Sequence, residues 1–425
     1  MIIGSGILTL VLLLVGVPVF LAFATFGIWV SIYELQIPWA TIGITMFAAV
    51  NKHVLQAIPL FILAAYLMLE TGLSTRLVNF FSAFIGHFKG GLAMVMIITM
   101  GFFGAINGSI LAAIIAIGGV MLPTMEKKGY SRPLIAALAA GSAGLDSLIP
   151  PSNGAIVFAS VTEASVSQLF AATILPGIIQ MIMLMAVCAY LARHLPTVEK
   201  ATWKQRGQAT LQAGTALLLP VIILGGIFGG IFTAVEAAAV ACIYSIMVGA
   251  LIHRSVTWTK LWSALKQTAS ITAVIFIVIA AASTFSTILI YTQFPQTVQR
   301  AAVDYGVTPM GLLLMGNAGC LLLGTFLEAI PNILVSASIL APAAKALGIP
   351  ITQLWGTVGI AVALGLLTPP VCVGAYTAAG MANVRPADVF RHLYPWIFLT
   401  LIISLALAIF VPPLTTWLPS LIKPL

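Results

Sequence analysis

Two carboxylates stand alone in long uncharged stretches of this chain. Glu328 is the only charged residue between Asp304 and Lys345, and Asp146 the only one between Arg132 and Glu163. A carboxylate in apolar surroundings binds a cation or solute, or is held by nearby backbone donors. For Glu328 both readings stand: a group that works at a site, or a protonated side chain bonded to local backbone. Asp146 lies four residues before Pro150-Pro151, which favours a place at a site over a cap or salt bridge. Other chemistry finds no constellation. His53, His87, His194, His253 and His392 are scattered, without zinc spacing. Asp146, Asp304 and Asp388 supply no aspartyl pair on adjacent helices, and no nucleophile meets a base. Catalysis is not expected, nor any cofactor. Thr233 and Glu236 form a capping-box pattern, while Glu70 and Glu163 sit near the ends of apolar spans.

The elements that carry the two carboxylates are unusual. Residues 90–125 contain no charge in 36 residues. That is long for one crossing and short for two, so a re-entrant hairpin of two helices of ~20 Å each is expected, at about 1.5 Å per residue. Gly104-Ala105-Ile106-Asn107-Gly108-Ser109 supplies the turn. A second hairpin, 309–345, turns at Gly324-Thr325-Phe326-Leu327-Glu328, followed by Pro331-Asn332. Each hairpin precedes a helix broken by two prolines: 132–163 by Leu148-Ile149-Pro150-Pro151-Ser152-Asn153-Gly154, and 352–381 by Leu367-Thr368-Pro369-Pro370-Val371-Cys372-Val373-Gly374. Two prolines remove two donors and clash with the preceding turn. Unwound backbone at membrane depth survives where it lines a cavity or binds something. Its carbonyls suit Na⁺, and the following helix N-terminus suits a carboxylate.

Composition says what surrounds these elements. Of 425 residues 61% are hydrophobic and 7% charged, against about 25% charged in soluble domains. Apolar segments at 7–30, 170–192, 214–231, 234–252, 269–291 and 393–411 match the ~20 residues that cross a bilayer. The fold class is an all-α polytopic membrane protein. Residues 2–30 read as a retained first helix, without the basic start of a signal peptide. The formal charge of +8 is dispersed in short loops, so no nucleic acid binding is expected. Cys188, Cys242, Cys320 and Cys372 lie in apolar segments and read as buried free thiols. Trp203, Trp258, Trp262, Trp396 and Trp417 flank spans as interfacial residues. The amphipathic segments 74–88 and 257–267 suit helices lying along the interface.

An offset of 219 residues superposes Pro123 on Pro342, Gly129 on Gly348, Pro150-Pro151 on Pro369-Pro370 and Pro176 on Pro395. The chain is thus a repeat, roughly 1–205 against 210–425. Lys127, Lys128 and Arg132 share a side with Arg193, Lys200, Lys204 and Arg206, and with Arg254, Lys260 and Lys266; an odd crossing puts Lys345 opposite, and Arg385 and Arg391 return. The charge bias makes the repeat inverted, with its basic loops cytoplasmic. A channel would instead show rings of pore-lining residues.

GAINGS at 104–109, LPTMEKKGYSRP at 122–133, LIPPS at 148–152, ILPGI at 174–178, GIFTAVEAAAV at 230–240, FLE at 326–328 and LLTPPVCVG at 366–374 resemble, in order, the large membrane subunit of TRAP transporters. The resemblance covers nearly the whole chain. It implies a Na⁺-driven importer of an organic acid, such as a C4-dicarboxylate or sialic acid, in the bacterial inner membrane. It further implies a separate small membrane subunit of about four helices, a periplasmic substrate-binding protein and an elevator mechanism. The alternative is a related anion transporter, coupled to Na⁺ or H⁺, that works without a binding protein. On this reading 90–168 and 309–387 are transport units, 1–89 and 169–308 scaffold and arms, and 388–425 a C-terminal span. A first sodium site is expected at Ala105, Asn107, Ser109, Asp146, Ser147 and Pro150, and a second at Gly324, Thr325, Glu328, Gly365, Thr368 and Val371. Substrate is expected near Ser109, Ser152, Asn153, Asn332, Pro369 and Cys372. No arginine lies in that region to clamp a carboxylate, so hydroxyls, amides and helix ends carry recognition. The sequence departs from the family's usual patterns at Asn107, at Asn153-Gly154 and at Glu328, where Asp is common.

Overall fold

The computed structural model describes residues 11–12, 15–107, 110–369 and 372–422. Among these every regular element is helical, and eight helices are long and apolar enough to cross a membrane. The first half contains α1 (Val19–Trp29), α2 (Trp39–Val50), α3 (Ala57–Glu70), α4 (Leu73–Ile85), α5 (Gly91–Asn107), α6 (Ile110–Lys127), α7 (Arg132–Ala143), α8 (Asn153–Thr162) and α9 (Val166–Leu191). A connector, α10 (Trp203–Phe228), leads to α11 (Ala234–Ile252), α12 (Trp258–Tyr291), α13 (Phe294–Asp304), α14 (Pro309–Gly324) and α15 (Ala329–Ala346). The chain continues through α16 (Ile351–Gly365), α17 (Val373–Ala382), α18 (Pro386–Phe410) and α19 (Pro413–Ser420).

Helix starts keep the offset of 219 residues at Ile110 and Ala329 and at Arg132 and Ile351. The starts of α5 and α14, α8 and α17, and α9 and α18 keep it within one residue. Among the described residues α1 pairs with α11, and no helix pairs with the connector α10. The two halves also differ at one join. The long α12, 34 residues, spans the positions of both α2 and α3. Asn51-Lys52-His53 interrupts the first half, where the second has Ser270-Ile271-Thr272; Lys52 leaves the helix and donates to the Ser160 carbonyl at the end of α8. The segment 257–267 is therefore the first turns of α12. The separate short amphipathic helices are α4, as expected, and α13.

The halves exchange partners. In the scaffold α1 packs on α12 and α11 on α3. Among the broken helices α8 packs on α15, and α17 on α6. A Cβ on Gly144 would sit 3.6 Å from the Cβ of Ala363, its own repeat mate. An approximate two-fold axis thus passes between the ends of α7 and α16. Near the same axis Gln180, wholly buried, donates to Thr400 at 2.9 Å across α9 and α18.

These contacts follow from residue size. Every residue of α16 from Thr352 to Gly365 is buried, as is α7 from Ile135 to Ala143. A helix apolar on all sides belongs at the centre. Alanine and glycine along α7 allow the close backbone approach on which helix packing in lipid depends. The largest fully buried side chain among the described residues, Trp355, fills the space beside Gly154, its ring tilted against Phe158 at 5.0 Å. Its removal belongs to the aromatic-to-Ala class that costs about 3–5 kcal/mol. All four cysteines are free and buried, and the Thr233–Glu236 capping box forms at 2.8 Å and 3.3 Å.

Candidate ion and substrate site

Both expected hairpins are present. Their arms have 16–18 residues, or ~24–27 Å at 1.5 Å per residue. That is longer than the ~20 Å expected. In each half the first arm ends against the helix that precedes the break.

In the first half α5 meets the turn Gly144–Ser147, where α7 tightens into a 3₁₀ helix. A Cβ on Gly104 would lie 3.0 Å from the Asp146 Cα and 3.2 Å from its Oδ1. Only a residue without a side chain permits that approach. Asp146 is buried, and its Oδ1 has no hydrogen-bond partner. An unbroken helix would bring backbone donors from residues 150 and 151 to the Asp146 and Ser147 carbonyls. Both positions are proline, which has none. A buried carboxylate oxygen without a donor thus lies near the end of α5, on a turn whose last two carbonyls receive no helical donor. Leaving such atoms unmatched costs several kcal/mol, so this donor set fits a dehydrated monovalent cation. Pro150 is buried and Ser147 half-buried. Ala105 and Asn107 lie in the last turn of α5, their side chains outside the described structure, and Ser109 is outside the described residues.

In the second half the approach is closer still. A Cβ on Gly324 would lie 2.8 Å from the Gly365 Cα, and one on Gly365 2.7 Å from the Gly324 Cα. Backbone meets backbone. Pro369 leaves the Gly365 carbonyl to the Thr368 N–H at 2.9 Å, while the Thr368 hydroxyl donates to the Leu364 carbonyl at 2.8 Å. Thr325 is buried and donates to the Leu322 carbonyl at 2.7 Å. Glu328 occupies the N-cap position of α15 but makes no capping bond; its side chain is exposed at the tip. The bond to tip backbone that was one reading of Glu328 is thus not formed in this conformation. Val371 lies outside the described residues.

The expected substrate residues divide. Ser152 and Asn153 are buried at the start of α8, next to Gly154, whose Cβ would lie 3.0 Å from Ile333 of the other hairpin. Pro369 is exposed. Cys372, in the left-handed region at φ 34°, is buried. Asn332 is wholly buried and binds its own hairpin: it donates to the Cys320 carbonyl at 2.9 Å and accepts from Ser336 at 3.1 Å. Its amide ties the two arms together.

Several residues at the site had no signal in the sequence. Tyr394 donates to the Leu367 carbonyl at 3.1 Å, just before the second break. Phe390 stacks on its ring at 5.4 Å and Phe398 packs edge-on. Tyr394 lies in a π-helical stretch, Leu393–Phe398, that contains Pro395; the missing N–H accounts for the local change of helix type. Its neighbour proline was visible in the repeat, but its reach was not. Lys52 links the scaffold loop to the end of α8, and lay hidden in a segment that gave no helix break.

The similarity of this chain to known proteins agrees with that architecture. The model of the tripartite ATP-independent periplasmic transporter, DctM component, matches residues 7–414. The ectoine TRAP transporter large permease protein TeaC of Halomonas elongata is 34% identical over 414 residues, covering 96% of this chain and 97% of that protein. The C4-dicarboxylate TRAP transporter large permease protein DctM of Rhodobacter capsulatus is 30% identical over 431 residues, 98% of each chain. The isethionate TRAP transporter permease protein DctMQ of Oleidesulfovibrio alaskensis is 31% identical over 420 residues, 96% of this chain but 64% of that protein. Among solved structures, the Alcanivorax borkumensis YdaH transporter shares the fold with a TM-score of 0.62 at 16% identity, covering 88% of both chains. With hairpins, broken helices and the whole length accounted for, this chain belongs to the DctM family, the large permease component of TRAP transporters, multi-pass inner-membrane proteins that transport solutes rather than catalyse reactions and that function with a small membrane subunit and a periplasmic binding protein.

Proposed function

We propose that this permease imports a small organic acid by Na⁺ symport, taking it from a periplasmic binding protein. The observation that carries the reading is Asp146: a buried carboxylate oxygen without a donor, beside carbonyls freed by Pro150-Pro151, at the point where α5 ends. Na⁺ bound there neutralises the carboxylate and fixes the hairpin end against the broken helix. A second ion, at Gly324, Thr325, Gly365, Thr368 and the following Val371, fastens the other hairpin, with Glu328 at its rim. The exposed start of the second break at Pro369, the helix N-terminus of α8 and the tip residue Ser109 present the substrate's acidic group with dipoles and hydroxyls.

Motion of the hairpins and broken helices as one body fits their interlocking. The exchange of α8 onto α15 and α17 onto α6 ties both transport units together, while α1, α3, α11 and α12 pack chiefly on one another. Lys52 on the Ser160 carbonyl is a polar link between the two bodies. An elevator step would break that link and leave both ion sites intact. The relatives named above carry ectoine, C4-dicarboxylates and isethionate at similar identity to this chain, so the binding protein is the principal selector. DctMQ, of which this chain covers 64%, suggests the small subunit as a fused segment there.

The test is uptake of the binding protein's ligand into vesicles holding this chain and its small subunit. Uptake should require both inward Na⁺ and the binding protein. Undiminished uptake in Na⁺-free buffer under a proton gradient would overturn the coupling.

A further inference from the structure

The first arm, α4, is tied to the scaffold near both of its ends. Close to its C-terminal end the Arg206 guanidinium of α10 donates to the Ala83 carbonyl at 3.2 Å and lies over the Phe84 ring. In its first turn Arg76 reaches across to His253, the residue that follows α11. The guanidinium meets both ring nitrogens, Nε2 at 2.7 Å, and the Thr215 hydroxyl of α10 meets Nε2 at 3.0 Å. Between these ties α4 packs along α10 on one side. On the other it meets the hairpin helix α5, with Phe81 on Phe102 at 5.2 Å. The second arm has no such tie, because the positions equivalent to Arg76 and His253 hold Pro295 and Glu34.

A bond between two basic side chains depends on one of them being neutral. A guanidinium has donors only, so the ring nitrogen it bonds must be bare; a neutral imidazole provides one and an imidazolium does not. Burial, and then the charge of Arg76, hold the His253 pKa below the ordinary 6.5, so the ring is neutral at pH 7. Protonation would turn the acceptor into a donor and set two cations side by side. The surrounding elements bring no acid to offset this. Glu70, at the end of α3, accepts from Ser263 of α12 at 3.0 Å. Arg254 is exposed, and Lys260 and Lys266 of α12 add only positive charge. Tyr244 of α11 donates to the Thr215 carbonyl at 2.9 Å. Among the described residues the one ion pair, Arg132 with Glu126, lies elsewhere. The bond is therefore present while His253 is neutral and is lost as pH falls.

We propose that Arg76 and His253 form a proton-operated latch: neutral His253 fastens the first arm to the scaffold, and acid on the cytoplasmic side releases the arm and slows transport. The charge bias of the loops places this junction at the cytoplasmic surface. A released α4 no longer gives the first hairpin a fixed wall to move against. The effect on transport rests on the elevator motion proposed above; the release of the arm does not.

A nitroxide on Asn79→Cys, an exposed position one turn along α4, reads the latch in lipid vesicles holding the permease with its small subunit; the native cysteines are buried. With His253 present, the ratio of mobile to immobile label should rise about tenfold between about pH 7.5 and about pH 5.5, the worth of one hydrogen bond to a charged group. Uptake at the lower internal pH should fall at least about threefold. His253→Gln keeps an acceptor oxygen but takes up no proton, and should flatten both responses. His253→Lys should leave the label mobile at both pH values. The proposal is overturned if label mobility does not change over this range, if His253→Gln follows the same titration, or if the arm is released while uptake holds.

Discussion

Gly324→Ala adds one methyl group at the place where the second hairpin meets the broken helix. Its Cβ would sit 2.8 Å from the Gly365 Cα and 3.1 Å from the Asn332 amide nitrogen. The first neighbour is backbone and cannot rotate away, so α14 and α16 must separate by several tenths of an ångström. Overpacking of this kind costs about 1–3 kcal/mol, which is roughly 5- to 150-fold in the population with the tip seated. Gly365→Ala, with a Cβ 2.7 Å from the Gly324 Cα, should fall in the same range. The proper controls are Gly225→Ala and Gly380→Ala, where nothing lies within 4 Å of the new Cβ. Those should hold or raise thermal stability, since Ala is favoured over Gly in a helix by up to about 1 kcal/mol. The assay is substrate uptake against Na⁺ concentration in vesicles, with the half-saturating Na⁺ concentration as the readout. Both clash variants should shift it upward by at least about fivefold, and the controls should leave it unchanged. A Gly324→Ala protein with wild-type Na⁺ dependence would refute the idea that this backbone contact builds an ion site.

Other expectations follow from single contacts. Tyr394→Phe leaves the Leu367 carbonyl without its donor and should weaken Na⁺ dependence about 2- to 10-fold, the worth of one hydrogen bond, with no loss of expression; an unchanged Na⁺ titration would remove Tyr394 from the site. Thr368→Ala and Ser109→Ala should weaken Na⁺ dependence more than Glu236→Gln does, and the reverse order would show the sites are misplaced. Thr233→Ala should lower the melting temperature through loss of an N-cap worth about 1 kcal/mol, yet leave the Na⁺ titration where it was.

Much of this arrangement was legible in the residues because proline, glycine and the absence of charge are local signals. The paired Pro-Pro doublets gave both breaks, and the charge-free stretch 90–125 gave the first hairpin, since each alters the backbone where it stands. The capping box at Thr233 and Glu236 was legible for the same reason. What stayed hidden depends on distance in sequence. The place of Asn332 after the tip does not tell that its side chain bonds back to Cys320 and Ser336. Tyr394 reaches Leu367 only because α18 returns beside α16. The interruption after α2 was missed because Asn51-Lys52-His53 is a short polar run. Its meaning lies in the Ser160 carbonyl that Lys52 meets 108 residues later. The separate arm α13 was missed because the amphipathic start of α12 has the same composition as an arm and continues into a span without a break.

In the proposed mechanism each half of the permease builds a Na⁺ site from a hairpin end and a proline-broken helix. Equilibrium binding of radioactive sodium to the purified membrane complex tests it most directly. Two saturable sites are expected, one lost in Asp146→Leu and the other in Gly365→Ala, each variant keeping its partner site. Absence of saturable sodium binding, or both variants binding as wild type does, would contradict it.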